Sequence, residues 1–416
     1  MRVAIVGGVR TPFVKAAGAF SAFSALDLGK HVVVQCIKKH GIDAALIDDL
    51  YFGTVLLDPR IPNLAREIVL RSGLPKTING HFVANNCITG LVAAQVAWEA
   101  ISTGRIRCAL AGGSESMSQP TLTFPQRGEQ FFLRLAKARK PMDKLKLAAS
   151  FRPGFLFPQA PSPKEPSTGL TMGQHCELMA QEFRISRDAQ DEVALRSHAQ
   201  AGVAKQDGIL SEQITALGGV SEDNLIRGDT SLEKLKGLAP VFDRSPAGTI
   251  TAGNASALTD GASVVCLMSE ALARDAGMKI HGYLDGIEYA AVPPGDGLLM
   301  APALALPKLL RRSDLQVGDI DLFEIHEAFA AQVLCNLEAW ERGWGRYPTV
   351  PAIGSIPRDR INVYGGSIAL GHPFAATGGR LLMNVCRALE RKGMRRGVIS
   401  VCAAGGGAAA ALVSRD

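Results

Sequence analysis

The chain has 416 residues, 47% of them hydrophobic and 20% charged, with a formal net charge of +6. That balance excludes a disordered polyelectrolyte and describes a globular α/β chain, long enough for two or three domains or one large duplicated unit. Its eight cysteines are scattered without CxxC spacing, which argues against a disulfide framework or a zinc site and fits a reducing, cytoplasmic setting.

In chain order, "VAIVGG" reads as a strand, not as a signal peptide, because no apolar core precedes a small-residue cleavage site. "ALDLGKHVVVQCIKKHG" reads as a helix, "DDLYFGTVL" as a strand, "GLVAAQVAWEAISTG" as a helix and "CALAGGSES" as a strand. The last third repeats this order. "APALALPKLLRRS" reads as a helix, "DIDLFEIHEAFA" as a strand running into a helix, "FAATGGRLLMNVCRALERKG" as a helix, and "GVISVCAAGGGAAAALVS" as paired strands. The wording echoes too: "LIDDLYFG" parallels "DIDLFEIH", and "GRIRCALAGG" parallels "RRGVISVCAAGG". Two similar α/β halves packed as layers are expected. No apolar run approaches the ~18 residues of a membrane span, so none is expected.

Between the halves the pattern breaks. From Arg127 to Arg152 eight cations face only Glu129 and Asp143, an excess equal to the whole net charge of +6. The proline-rich "PGFLFPQAPSPKEPSTG" follows, then one long helix over 172–206. We assign 1–117 with 251–273 to the first half, 118–250 to an inserted loop domain that covers or shapes a site, and 274–416 to the second half. Most charge runs are solvated surface. Here Phe131, Phe132, Leu133, Leu135, Leu145, Leu147, Phe151, Phe155 and Phe157 interleave with the cations, a mix that also suits an interfacial helix pair.

Five stretches can carry chemistry. In "VANNCITGLVAAQ", Cys87 precedes a helix. A lone cysteine is ordinarily a packed thiol. At a helix start it instead meets unpaired N–H groups and the positive dipole end, which favour the nucleophilic thiolate. In "GGSIALGHPFAATGGR", His372 sits among glycines before Pro373, either as an incidental loop residue or as the base that activates a cysteine. In "SVCAAGGG", Cys402 ends a strand, and the N–H groups of Ala403, Ala404 and Gly405 form either a tight-packing turn or an anion-binding nest. In "EIHEAFAAQ", His326 either caps a helix or donates a hydrogen bond. "TAGNASALTDGAS" is a polar turn-rich loop, uninformative alone.

Together these stretches resemble the thiolase family over nearly the whole chain. "VGGVRTPF", "NNC", "GNASALTDGA", "HEAFA", "GGSIALGHPFAATG" and "CAAGGG" stand in that family's order and approximate spacing. His before "EAFA" and the "CAAGG" wording are similar to the thiolase subunit of fatty-acid oxidation trifunctional complexes. Two departures stand out. "NNCITG" replaces smaller neighbours, so Ile88 and Thr89 are expected to narrow or reshape the acyl pocket, and "TMG" replaces the "HMG" of the loop domain.

The resemblance implies a duplicated fold in an α-β-α-β-α layering. It implies a 3-ketoacyl-CoA thiolase of fatty acid β-oxidation: an acetyl-CoA C-acyltransferase that uses coenzyme A as a substrate and no metal or redox cofactor. Cys87 is then the acyl-carrying nucleophile, His372 its base, Cys402 the second acid/base, and His326 the holder of an oxyanion-facing water. The backbone N–H groups of Cys87 and Ala404 would form an oxyanion hole. Ser256, Ala252, Met172, Ala328, Phe329 and, most remotely, Arg227 match positions that bind coenzyme A or substrate. A homodimer or tetramer, a hydratase/dehydrogenase partner subunit, peripheral membrane contact through 127–157 and no nucleic acid are the implied associations. A biosynthetic acetoacetyl-CoA thiolase and a catalytically silent partner-binding subunit stay open. A decarboxylating condensing enzyme of the same superfamily is disfavoured, because Cys402 stands where those enzymes carry His or Asn.

Overall fold

The computed structural model describes residues 1–416. Ten strands carry the fold: β1 Val3–Arg10, β2 Val14–Lys15, β3 Asp49–Gly53, β4 Asn79–Val83, β5 Cys108–Glu115, β6 Thr259–Ser269, β7 Gly282–Ala291, β8 Leu322–Ile325, β9 Arg396–Ala403 and β10 Gly407–Ser414. Their order is β4-β3-β5-β6-β1-β7-β10-β9-β8, with β2 beside β6.

The echoed segments become equivalent strands. β3 runs parallel to β5, and β8 runs parallel to β9. From these pairs the first half continues through β6 to β1 and the second through β10 to β7, all antiparallel. The outer neighbour also recurs: β4 lies parallel to β3, and Ile361 makes a parallel bridge to Phe323 of β8. Only Ala4↔Tyr283 and Ile5↔Gly282 join the halves as strand partners.

Three apolar clusters separate the layers. One packs the helices Ala25–His40 and Leu64–Arg71 on the outer face of the first half. Another packs Pro302–Arg312 and Ala330–Arg342 on the outer face of the second. Between the two halves of the sheet lie Thr89–Ser102 and Thr377–Lys392, contributing Leu91, Ala94, Ala97, Leu381, Leu382 and Leu389 to one shared core. The layering is therefore α-β-α-β-α, as expected. Local signals agree with it: Ser24 and Asp27 form a capping box on the first helix, which ends at Gly41 with φ 62°.

The two central helices touch near their N-termini. A Cβ on Gly90 would meet Ala375 O at 2.7 Å, and one on Gly378 would meet Leu91 N at 2.6 Å. Glycine is needed for this approach, and the approach brings the loop before each helix to one place.

The segment 172–206 is not one helix. It divides into Met172–Glu182 and Arg187–Gln206, because Arg184 adopts φ 54° and Ser186 caps the second helix by accepting from Ala189 N. Buried polar contacts anchor this region. Arg10 forks onto Asp223 at 2.6 and 2.7 Å, Asn254 Nδ2 donates to Asp191 at 3.0 Å, and the Glu177 carboxylate accepts from the Thr249 and Ile250 amides. The basic run forms the helices Gln126–Lys137 and Pro141–Ala149. Phe131 is buried among Phe132, Phe151 and Phe155, while Leu133, Leu145 and Phe157 are 60%, 67% and 70% exposed. No helix is long and apolar enough to cross a membrane.

Candidate active site

The first central helix begins at Thr89, so Cys87 sits two residues ahead of it. Thr89 ties the turn together: its hydroxyl accepts from Asn85 N and donates to Asn86 O, both at 2.8 Å. Asn86 takes φ 46°, a left-handed conformation that asparagine tolerates well. Cys402 lies near the end of β9, close enough for the two thiols to perturb each other.

His372 precedes the second central helix, and its Nδ1 bonds the Thr377 hydroxyl at 2.6 Å. His326 follows β8, and its N–H donates to Ser400 O at 2.8 Å, two residues before Cys402. It does not cap a helix, since the next one starts at Ala330. The rings of His326 and His372 lie 4.1 Å apart between centroids, and both Nε2 atoms are buried without a protein partner. Buried imidazole nitrogens without partners are expensive, and two side by side mark a place built to meet something else.

The hydrogen-bond pattern favours one tautomer. Arg380 can only donate, and its Nη2 donates to Ser367 Oγ at 2.8 Å. The Ser367 proton then has one acceptor, His326 Nδ1 at 2.8 Å. In that arrangement His326 carries its own proton on Nε2 and presents a donor. His372 Nε2 is left to accept when Nδ1–H donates to Thr377.

Burial governs the electrostatics. It pushes His372 down to about 3, helped by Arg380, and holds His326 well below its ordinary value with help from His372 and Arg380. Both imidazoles are neutral at physiological pH. Burial also pushes the Cys87 thiol up to about 12, opposed by the Ala404 amide, and drives Cys402 well above its ordinary value. The thiolate expected at the helix start meets an opposing effect: burial outweighs the Ala404 and Cys87 amides and favours the thiol. On β8, two residues before His326, burial raises Glu324 to about 7 against the pull of Arg380.

The anion nest also needs correction. Ala403 belongs to the β9–β10 ladder opposite Gly407, and the Gly405 amide donates to Glu165 Oε2 at 3.0 Å. Of these three amides, that of Ala404 is the one that acts on the Cys87 sulfur, together with the amide of Cys87 itself.

The remaining candidates divide. Ser256 N donates to Ala328 O at 2.9 Å, Ala255 bridges Phe329, and Phe329 packs edge-on against Phe242, so the "GNAS" and "HEAFA" loops form one wall. Met172 packs against the same cluster as Ala328. Ala252 is exposed on that loop. Arg227 is exposed, its amide is held by His198 Nδ1 at 3.2 Å, and its guanidinium makes no hydrogen bond or ion pair that joins it to this wall. Glu327 is structural: its carboxylate accepts from Ser197, Asn362 and the Ile368 amide. Sequence reasoning missed Asn86, Glu165, Ser367, Thr377 and Arg380. Thr377 and Arg380 stand inside the quoted histidine loop, but only the folded helix start shows what they hold.

Comparison with known proteins finds relatives over the whole chain. Residues 3–271 match the thiolase N-terminal domain and residues 278–415 the thiolase C-terminal domain. A protein of Colwellia psychrerythraea named 3-ketoacyl-CoA thiolase is 39% identical, with 100% of this chain and 97% of that protein covered. One of Shewanella piezotolerans with the same name is 41% identical, covering 99% and 96%. Among solved structures, the Bacillus anthracis acetyl-CoA acetyltransferase superposes with a TM-score of 0.82 at 30% identity, covering 99% of this chain and 98% of that one. A thiolase from Ascaris suum in complex with coenzyme A also gives 0.82, at 27% identity over the whole of both chains.

Proposed function

The chain belongs to the thiolase family, and from that premise we infer that it is an acetyl-CoA C-acyltransferase: coenzyme A cleaves a 3-oxoacyl-CoA to acetyl-CoA and an acyl-CoA two carbons shorter. The observation that carries this reading is one buried cluster of two neighbouring thiols and two neutral, unpartnered imidazole nitrogens.

The chemistry follows from that set. Cys87 Sγ attacks the C3 carbonyl as His372 Nε2 takes its proton. Because the thiol rests protonated, transfer and attack are concerted. The C3 oxyanion meets the Cys87 and Ala404 amides. The C2–C3 bond then breaks, and its electron pair forms the enolate of acetyl-CoA. The enolate oxygen faces the Nε2 side of His326, directly or through a water, and Cys402 delivers a proton to C2. In the second half, Cys402 takes the proton of coenzyme A, whose thiolate attacks the Cys87 thioester. His372 returns its proton to Cys87. Thiols, imidazoles and amides suffice for every step, so the reaction asks for no metal or redox cofactor.

Ser256, Ala328, Phe329, Met172 and Ala252 are proposed to line the thioester arm, with Arg227 the most distant member. The degradative direction is favoured over acetoacetyl-CoA synthesis by the names of the 39–41% identical relatives. The cell cytoplasm, fatty acid β-oxidation, a homodimer, and a hydratase/dehydrogenase partner or membrane surface at 127–157 complete the proposal. The exposed Leu133, Leu145 and Phe157 beside eight cations support the surface assignment. Light scattering that finds a monomer would contradict the dimer. Co-purification that brings no hydratase activity, together with no sedimentation on anionic vesicles, would contradict the surface assignment.

The direct test follows loss of the 3-oxoacyl absorbance across acyl chains of four to sixteen carbons. Turnover that requires added coenzyme A and rises with chain length is expected. No turnover at any length would remove the reading.

A second test concerns the tautomer. Ser367→Ala removes the donor to His326 Nδ1 and lets the imidazole proton move to that atom. A roughly tenfold loss in kcat/KM is expected, about 1.4 kcal/mol of transition-state stabilisation. In histidine 15N spectra, the His326 signal should leave the Nε2–H tautomer position. An unmoved signal would contradict the assignment.

A further inference from the structure

The peptide unit between Ala404 and Gly405 is gripped at both ends. Its carbonyl accepts from Asn86 Nδ2 at 3.0 Å, and its N–H donates to Glu165 Oε2 at 3.0 Å. The two jaws come from different parts of the chain: Asn86 adjoins the nucleophile, and Glu165 belongs to the inserted domain. Gly405 and Gly406 follow with φ 78° and 77°, so the chain leaves Ala404 through two residues that resist rotation least. On its other side Ala404 is preceded by Ala403, held in the β9–β10 ladder. Ala404 is thus the one residue of this turn whose N–H faces the Cys87 sulfur, and its placement rests on the ladder behind it and the grip ahead of it.

Glu165 is built for a fixed position. It is 8% exposed although it lies in a proline-rich loop. Its second oxygen accepts from Ser167 Oγ at 3.1 Å, its own amide donates to Leu170 O at 2.8 Å, and its carbonyl accepts from Gly169 N at 2.8 Å. The next turn of this loop is held by Thr168 Oγ1 against His175 Nε2 at 2.7 Å, on the helix that Thr171 caps. The carboxylate's two hydrogen-bond donors are the Ser167 hydroxyl and the Gly405 amide. Its preserved charge-assisted bond is the one to the Gly405 amide, and such bonds are the strong ones.

We propose that Glu165, with Asn86 as the opposing jaw, is a positioning residue for the oxyanion hole: the inserted domain reaches into the site and holds Ala404 so that its N–H meets the tetrahedral adduct on Cys87. Glu165 touches no reacting atom. It also occupies the Gly405 amide, leaving a single loop N–H to act with that of Cys87. The inference rests on the acyl-enzyme reading above and adds to it that the insert completes the site as well as covering it.

The experiment compares Glu165→Ala, Glu165→Gln and Asn86→Ala in the full-length protein. Tetrahedral adducts form on Cys87 in both half-reactions, whereas exchange of the acetyl-CoA methyl protons with solvent deuterium uses Cys402 and the histidines. Glu165→Ala should therefore lower kcat about tenfold or more, a fraction of the ~10²–10³ lost when an oxyanion donor is removed outright. KM should stay within about threefold, the thermal midpoint should hold, and deuterium exchange should be unchanged. Glu165→Gln, which keeps an acceptor, should restore most of the rate, and Asn86→Ala should reproduce the kcat loss. Wild-type kcat in Glu165→Ala, equal impairment in the Gln variant, or parallel loss of deuterium exchange would each overturn the proposal. Absence of turnover in the wild type would instead remove the acyl-enzyme reading, so the two failures are distinct.

Discussion

Replacing Cys87 by alanine should lower kcat by roughly 10⁴–10⁶-fold, the range seen when a covalent nucleophile is deleted from a cooperating set. The size follows from the role. Without the sulfur, coenzyme A has no acyl-enzyme to attack, and the remaining groups can only polarise the substrate. The cost to folding is small by comparison. Cys87 is partly buried and lies outside the helix that follows it, so its loss removes little packing and should destabilise by about 1 kcal/mol or less. Activity and thermal midpoint measured on the same preparation check both halves. A variant that keeps more than about a hundredth of wild-type kcat would show that another group carries the acyl chain.

Cys402→Ala should lower kcat by about 10²–10⁴-fold, the usual worth of a positioned acid/base. Its signature differs from that of Cys87. C2 of a thioester is a very weak acid, and proton transfer is efficient when donor and acceptor are matched. Burial raises Cys402 well above an ordinary thiol, so its thiolate is a stronger base toward carbon than a solvated one. Deuterium exchange into the methyl group of acetyl-CoA should therefore vanish in Cys402→Ala and persist in Cys87→Ala. Cys402→Ser should not rescue it, because a hydroxyl is a poorer acid. Exchange that persists in Cys402→Ala would assign the carbon acid/base role elsewhere.

Much of the fold was legible because its signals are local. The strand and helix runs, the capping box at Ser24 and Asp27, and the echo of 46–53 in 319–326 are all readable over short windows. The break at Arg184 was not, since the apolar spacing runs through it and only the Ser186 cap marks a new start. At the site, Cys87, His372, Cys402 and His326 were legible as residue types in motifs. Their supports were not. Glu165 meets Gly405 across 240 positions and Asn86 meets Ala404 across 318. Ser367 acquires its role only when Arg380 arrives from the next helix and leaves its proton a single acceptor. The thiolate expected at Cys87 meets an effect that sequence does not show: amides at a helix start can be inferred from it, whereas the burial that pushes the thiol up depends on what packs around the sulfur.

The account stands or falls on which sulfur carries the acyl group. Mixing the protein with 3-oxohexadecanoyl-CoA without free coenzyme A, quenching in acid and mapping peptides by mass spectrometry tests this directly. The account predicts one tetradecanoyl group per chain on the peptide containing Cys87, discharged when coenzyme A is added before the quench. An adduct on Cys402, or turnover with no adduct on any cysteine, would contradict it.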